Sequence, residues 1–257
     1  MKDDKLTLIS ISVLACILQD LLHEGMGHGV TAWASGARHI TLSTVALQTD
    51  IATRWIDANG TLVNLAAGVV FWILLRGARL YSPAMHYFLV LALAGNLFTG
   101  TGYFFFSGVT DFGDWAVVIH GLQPHWAWRA GLIVIGAASY FASMLLVRAR
   151  LKPFRSQTDS PRVRIVCWTP YISDGILAGV AGLLNPAGLF YVIASALPST
   201  LGANAGLLSL PSMLRGTGSE VDTAIPAIRR NISWIVAGAV AALFFIVVLG
   251  RGITWSR

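Results

Sequence analysis

Six apolar runs, near Leu6–Ala34, Leu62–Leu75, Ala84–Phe106, Trp126–Val147, Ile172–Leu197 and Ile232–Leu249, limit this chain's possible folds more than any other feature. A helix of about 20 apolar residues crosses the roughly 30 Å of hydrocarbon in a bilayer. The second run is short but reaches that length by drawing in Gly60 and Thr61. Asn204–Leu214 is too short to span and is expected to be re-entrant or interfacial. The chain therefore reads as all-α, a polytopic membrane bundle of about six transmembrane helices. Composition agrees, since 55% of residues are hydrophobic, 12% are charged and the mean hydropathy is +0.67. A soluble domain carries about twice that share of charge.

Polar stretches divide the chain into a core over residues 1–147, a basic loop over 148–170 and C-terminal membrane helices over 171–257. Pro153, Ser156 and Pro161 make the basic stretch the best linker. With six spans, Lys2, Lys5, Arg76, Arg79, the cations of Arg148–Arg164, Arg251 and Arg257 fall on the side of the N-terminus. Arg38, Arg54, Arg129, Arg215, Arg229 and Arg230 fall on the other. That excess places both termini in the cytoplasm, in an integral multi-pass protein of a bacterial inner (plasma) membrane. The pI near 9.7 then reflects contact with membrane lipid and calls for no nucleic acid. Val13-Leu14-Ala15-Cys16 loosely resembles a lipoprotein cleavage box, but the apolar helix runs on past it, so cleavage is not expected. Two cysteines, Cys16 and Cys167, are too few for a disulfide framework.

Ionisable residues at membrane depth mark a functional site by default, and His23-Glu24-Gly25-Met26-Gly27-His28 lies at the end of the first run. Imidazoles hold zinc, and an adjacent carboxylate can handle a proton. In the common H-E-x-x-H zinc motif the histidines stand four apart on one helix face. Here they stand five apart, rotated by roughly 140° in a regular α-helix. A π-bulge would realign them, and Gly25, Gly27 and Gly29 would accept it. The hexad resembles the H-E-x-x-G-H motif of dipeptidyl-peptidase III enzymes, which implies metal binding by both histidines. Asp20, on the same face, is placed to orient an imidazole. Beyond the cluster, Arg38–Asp50 alternates apolar and polar residues as a short β-hairpin does.

Gly60-Thr61-Leu62-Val63-Asn64 resembles the G-P-x-x-N element of site-2-protease-like intramembrane zinc metallopeptidases, with threonine in place of proline. The order of zinc helix, short strands, G-x-x-x-N helix and aspartate helix over residues 6–120 also resembles that family. The resemblance implies that Asn64 holds substrate or the oxyanion, and that an aspartate after Asn96 is the third ligand. Asp111 and Asp114 compete for that place. Asp114 is favoured because it opens the apolar stretch Trp115–Ile119. It further implies a metal end facing the cytoplasm, opposite to the side indicated by charge.

Ligation by His23, His28 and Asp114 (or Asp111) would leave a fourth position on Zn2+ for water, and Glu24 would take that water's proton. The expected activity is hydrolysis of peptide bonds in a membrane-associated peptide or protein. The alternatives are a membrane carrier using these groups as a proton relay, a catalytically inactive scaffold, and a zinc-dependent lipid amidase. The break at Leu183–Gly188 suits a polar cavity, with Asn185 facing the cleft. Asp174, Ser195 and Asn204 read as helix-packing residues, and His39, His86, His120 and His125 as interfacial ones.

Overall fold

The computed structural model describes residues 2–155, 160–186, 188, 190, 192–193, 197–214 and 224–256. Ser156, Ser195, Arg215 and Arg257, named above, lie outside them. Among the described residues, eight helices and one small sheet alternate in the order α1 (Lys5–Ala34), β1 (His39–Leu42), β2 (Leu47–Thr49), α2 (Arg54–Leu74), α3 (Pro83–Thr110), α4 (Asp114–Ile119), α5 (His125–Leu151), α6 (Ser160–Leu183), α7 (Gly206–Met213), α8 (Ile232–Phe244) and β3 (Ile253–Ser256). Local chemistry sets the helix starts. Asp4, Thr53, Ser82 and Asn231 each accept a bond from the backbone N–H three residues on, at the head of α1, α2, α3 and α8.

Six helices are long and apolar enough to cross a membrane, as the hydropathy pattern predicts. α5 and α8 leave most of their apolar side chains outside the bundle, with Val134 67% and Leu243 65% exposed. A surface of that kind suits hydrocarbon rather than water. Leu8, Ile11, Tyr87, Leu93, Phe98, Val147 and Phe154 form the main core, where α1, α3, α5 and α6 meet.

The fifth span differs from expectation. The helix covers Ser160–Leu183 rather than Ile172–Leu197. It ends before Asn185-Pro186, because proline lacks an N–H and pushes its predecessor out of the α region. Its start takes in part of the stretch expected as a basic loop, and α5 extends to Leu151 from the other side. Arg162 is accommodated there by Asp3, at 2.8 Å, and Arg164 stacks over Trp168.

Residues 197–214 are also more than an interfacial turn. They form a helix of changing pitch, π over Pro198–Gly202, 3-10 over Ala203–Ala205 and then α7. Ser199 and Thr200 stand beside Cys16, His23, Thr99 and Tyr103, while Leu210 and Leu214 pack with Leu8 and Phe154 toward the N-terminal end of α1. This segment returns the chain to the end where it began. Asp4 donates its N–H to Ile228 O, and Asn231 donates to Thr7 Oγ1. From there α8 runs alongside α1, and β3 pairs antiparallel with β1.

The expectation of both termini on one side is therefore corrected. Asp3 and Ser256 lie at opposite ends of the bundle, Arg229 and Arg230 join the N-terminal end, and Arg251 joins the other. The expected hairpin is present, with Ile40 opposite Thr49, but as part of a three-stranded sheet in the order β2-β1-β3. Asp50 ties its base, accepting bonds from the N–H groups of His39 and Arg38. These bonds hold its carboxyl below the ordinary value. His86, expected at an interface, is buried in the first turn of α3 against Phe154.

Candidate metal centre

The inserted residue between the two histidines is absorbed by a π-helix over Leu21–Gly29, the whole length of the motif. At its end the N–H of Val30 bonds to Gly25 O, five residues back. His23 and His28, also five apart, consequently stand on successive turns of one face. Their Nε2 atoms are 3.1 Å apart. The expected bulge is thus present, in an extended form.

Asp114 completes the group. At the end of α3, Asp111 takes a left-handed conformation, and Gly113 follows at φ 84° and ψ −173°. Few residues other than glycine adopt that second conformation. The two turns swing Asp114, the first residue of α4, back over the histidines. Its Oδ2 lies 3.1 Å from His23 Nε2 and 3.4 Å from His28 Nε2.

The partners of the other ring nitrogens settle the chemistry. His28 Nδ1 donates to Ile56 O at 2.6 Å, a carbonyl that can only accept. His23 Nδ1 meets Asn64 Oδ1 at 2.6 Å. The Asn64 amide cannot be turned around, because its Nδ2 donates to Gln19 O and to Asn96 Oδ1. Asn96 is fixed in turn by donating its own Nδ2 to Ala92 O. Both Nδ1 atoms therefore carry hydrogen, which leaves each Nε2, in the neutral imidazole, to present a lone pair toward the other ring and the Asp114 carboxylate. Three acceptors this close and mostly buried are satisfied by a proton on one Nε2 or by a metal ion among them.

A metal ion fits. Tetrahedral ligands held at zinc's bond lengths stand roughly 3.3 Å apart, and the three separations here are 3.1, 3.1 and 3.4 Å. The three ligand atoms all lie within 4.8 Å of one another. Two imidazoles and one carboxylate suit zinc and its first-row neighbours.

Backbone proximity makes room for the group. α1 and α2 touch at Gly27 and Gly60, where a Cβ on Gly27 would lie 2.8 Å from Asn59 O. A Cβ on Gly60 would fall against His28 Nε2 and 2.8 Å from His23 Cε1. Tyr103 stacks on the His23 ring with centroids 4.8 Å apart. Next to the cluster lies a cavity of about 890 Å³, lined by Glu24, His28, Asp57, Asp114, β2 and its flanks. Glu24 Oε2 is buried and has no hydrogen-bond partner.

The structure brings His23, His28 and Asp114 together, with Glu24 beside them. Asp111 is not part of the group, because its left-handed conformation turns it outward. There it accepts from His125 Nε2 at 3.0 Å and faces Arg129, contacts that hold its carboxyl below the ordinary value. Asn64 is fully buried with both ends of its amide engaged, so it orients His23 and is not free for an oxyanion. That orienting place was expected for Asp20, whose Oδ2 has no partner. Asn185 lines none of the cavities around the cluster. Asn96 and Tyr103 belong to the site with no ligand motif to mark them, whereas Gly60 opens the G-x-x-x-N element but carries no expected role at the metal. A lone amide within an apolar run was the available signal for Asn96.

Comparisons with protein-family models, with curated proteins and with solved structures find no match to this chain.

Proposed function

We propose that this protein is a membrane-embedded zinc hydrolase of site-2-protease type, cleaving amide bonds in membrane-associated peptides or proteins. The observation that carries the reading is the convergence of three lone-pair donors, His23 Nε2, His28 Nε2 and Asp114 Oδ2, at tetrahedral separations. Zinc held there would polarise a carbonyl and lower the pKa of a coordinated water toward about 7. Asn64 and the Ile56 carbonyl keep the two imidazoles in the tautomer that ligates. Glu24 has the free buried oxygen on the wall of the same cavity, and it takes the proton of the attacking water and returns it to the leaving amine. The cavity holds the polar part of the substrate, and the order of motifs over residues 6–120 supports the family assignment. Basic residues gather at the N-terminal end of the bundle, which places that end in the cytoplasm and the metal centre on the opposite side.

The test is metal content by mass spectrometry of detergent-purified wild type, His23→Ala and Asp114→Ala. It is followed by a comparison of membrane peptides released by wild type and by Glu24→Gln. One zinc per chain, lost in both ligand variants, with cleavage lost in Glu24→Gln, is the expected result. Zinc without turnover would leave an inactive scaffold, and a folded protein that takes up no metal would leave a carrier.

A further inference from the structure

A second cavity, of about 600 Å³, lies on the other side of Asp114 from the one that receives the polar group. It is enclosed by α3, α5 and the irregular segment around Gly202, and its walls include Phe106, Val109, Phe141 and Met144. Tyr103, Phe112, Gly113 and Asp114 line both cavities. The two spaces therefore meet at the proposed zinc ligand.

The polar inventory of this wall is short, being Tyr103, Thr110, Tyr140, Ser199 and, at one end, Asp114. Tyr140 donates its hydroxyl hydrogen to Ala203 O and accepts from Gly206 N. Thr110 donates to Phe106 O. Tyr103 and Ser199 stand together where this cavity meets the metal centre. Only Asp114, at the polar end, is committed elsewhere, to the two histidines. An unwound peptide brings N–H and C=O groups that need partners away from water, and these few hydroxyls are too sparse to serve a backbone along the length of the cavity. A hydrocarbon chain needs none. Phe105, Val109 and Phe141 are 44, 48 and 56% exposed, so the wall continues into the apolar outer surface and the chain can enter sideways from the bilayer.

We propose that the substrate is a fatty-acyl amide, with its hydrocarbon chain in this cavity and its carbonyl at His23, His28 and Asp114. This rests on the zinc-hydrolase chemistry proposed above and changes its substrate, from a peptide to an acyl amide. In the reaction the oxygen of water bonds to the acyl carbon and the C–N bond breaks. The amine leaves with a proton delivered by Glu24, giving a fatty acid and a free amine.

The test is photocrosslinking of the full-length protein in nanodiscs of dioleoylphosphatidylcholine, with N-palmitoylglycine carrying a mid-chain diazirine as probe. The expected result is labelling mapped to Phe106, Tyr140 or Met144 and lost on adding excess unlabelled N-palmitoylglycine. Neither N-acetylglycine nor an unacylated membrane-spanning peptide should displace it. Gly202→Phe and Ala137→Phe, which project into the space from two different walls, should each abolish this labelling. Labelling of the outer face of α8 at Val240 or Leu243 should persist in both. A Cβ at Gly202 meets nothing within 4 Å, and Ala137 is exposed. Labelling confined to outer faces, or displacement by the spanning peptide instead, would overturn the proposal. The two readings fail separately. Cavity labelling without zinc uptake would defeat the hydrolase alone, whereas zinc uptake without cavity labelling would defeat the acyl-chain assignment alone.

Discussion

Replacing Gly60 by alanine adds one methyl group, and the structure puts that methyl inside the metal centre. Its carbon would fall against His28 Nε2 and stand 2.8 Å from His23 Cε1. Ordinary contact begins near 3.4 Å, so the His23 ring must give by about 0.6 Å and the His28 ring by more. α2 cannot simply retreat, because α3 is packed closely behind it, with Gly68 against Leu97 and Leu65 against Gly100. The displacement is about three times the roughly 0.2 Å tolerance of a metal–ligand distance. We expect zinc affinity to fall at least about 100-fold, equivalent to about 2.7 kcal/mol or more. Helix propensity works the other way, favouring alanine by about 1 kcal/mol, so a weakened helix would not account for the loss. The assay is competition with a chromophoric chelator in detergent. Gly131→Ala serves as control, since a Cβ there meets nothing within 4 Å. A folded Gly60→Ala protein that holds zinc as wild type does would refute the placement of the ion.

Asn64→Leu removes the acceptor that fixes the His23 tautomer and should weaken zinc binding about 10- to 100-fold, short of the complete loss expected for His23→Ala. Unchanged affinity in the same chelator assay would end the orienting role. Asp111→Asn keeps a residue that tolerates the left-handed conformation and should leave zinc stoichiometry intact, whereas Asp114→Asn should abolish it. The opposite pattern would exchange the two aspartates. Alkaline phosphatase fused after residue 50 or residue 252 should be active and after residue 155 silent. Activity at 155 would invert the proposed orientation.

The cluster was legible because its signals are local. The five-residue spacing and three alternating glycines called for a widened helical turn, and Asp114 stood out from Asp111 by opening an apolar stretch. The hairpin was legible for the same reason, in the alternation around Ile40 and Leu42. The amide relay was not. Asn96 reaches Asn64 only through the way α3 packs against α2, and helices that are apolar all round carry little periodicity from which to read that packing. β3 was missed because its partner, β1, lies more than two hundred residues earlier. The fifth span was misplaced because hydropathy continues across Asn185-Pro186 while the helix does not, and because paired arginines could enter its first turns. The returning segment over 197–214 was hidden by proline, glycine and asparagine, which lower its apparent hydrophobicity.

Among the described residues, Asp3 and Ser256 lie at opposite ends of a bundle with six helices long enough to span, and this bears on how such a chain would enter a bilayer. Helices can be inserted two at a time as hairpins, but here the irregular segment before α7 has no partner of its own, since its neighbours α6 and α8 are the more hydrophobic. If that segment lagged behind, α8 would enter in the reverse sense and carry β3 to the face opposite β1. The sheet beside the metal centre would then lack its third strand, so this single pairing reports whether every preceding pass has been laid down in the right direction.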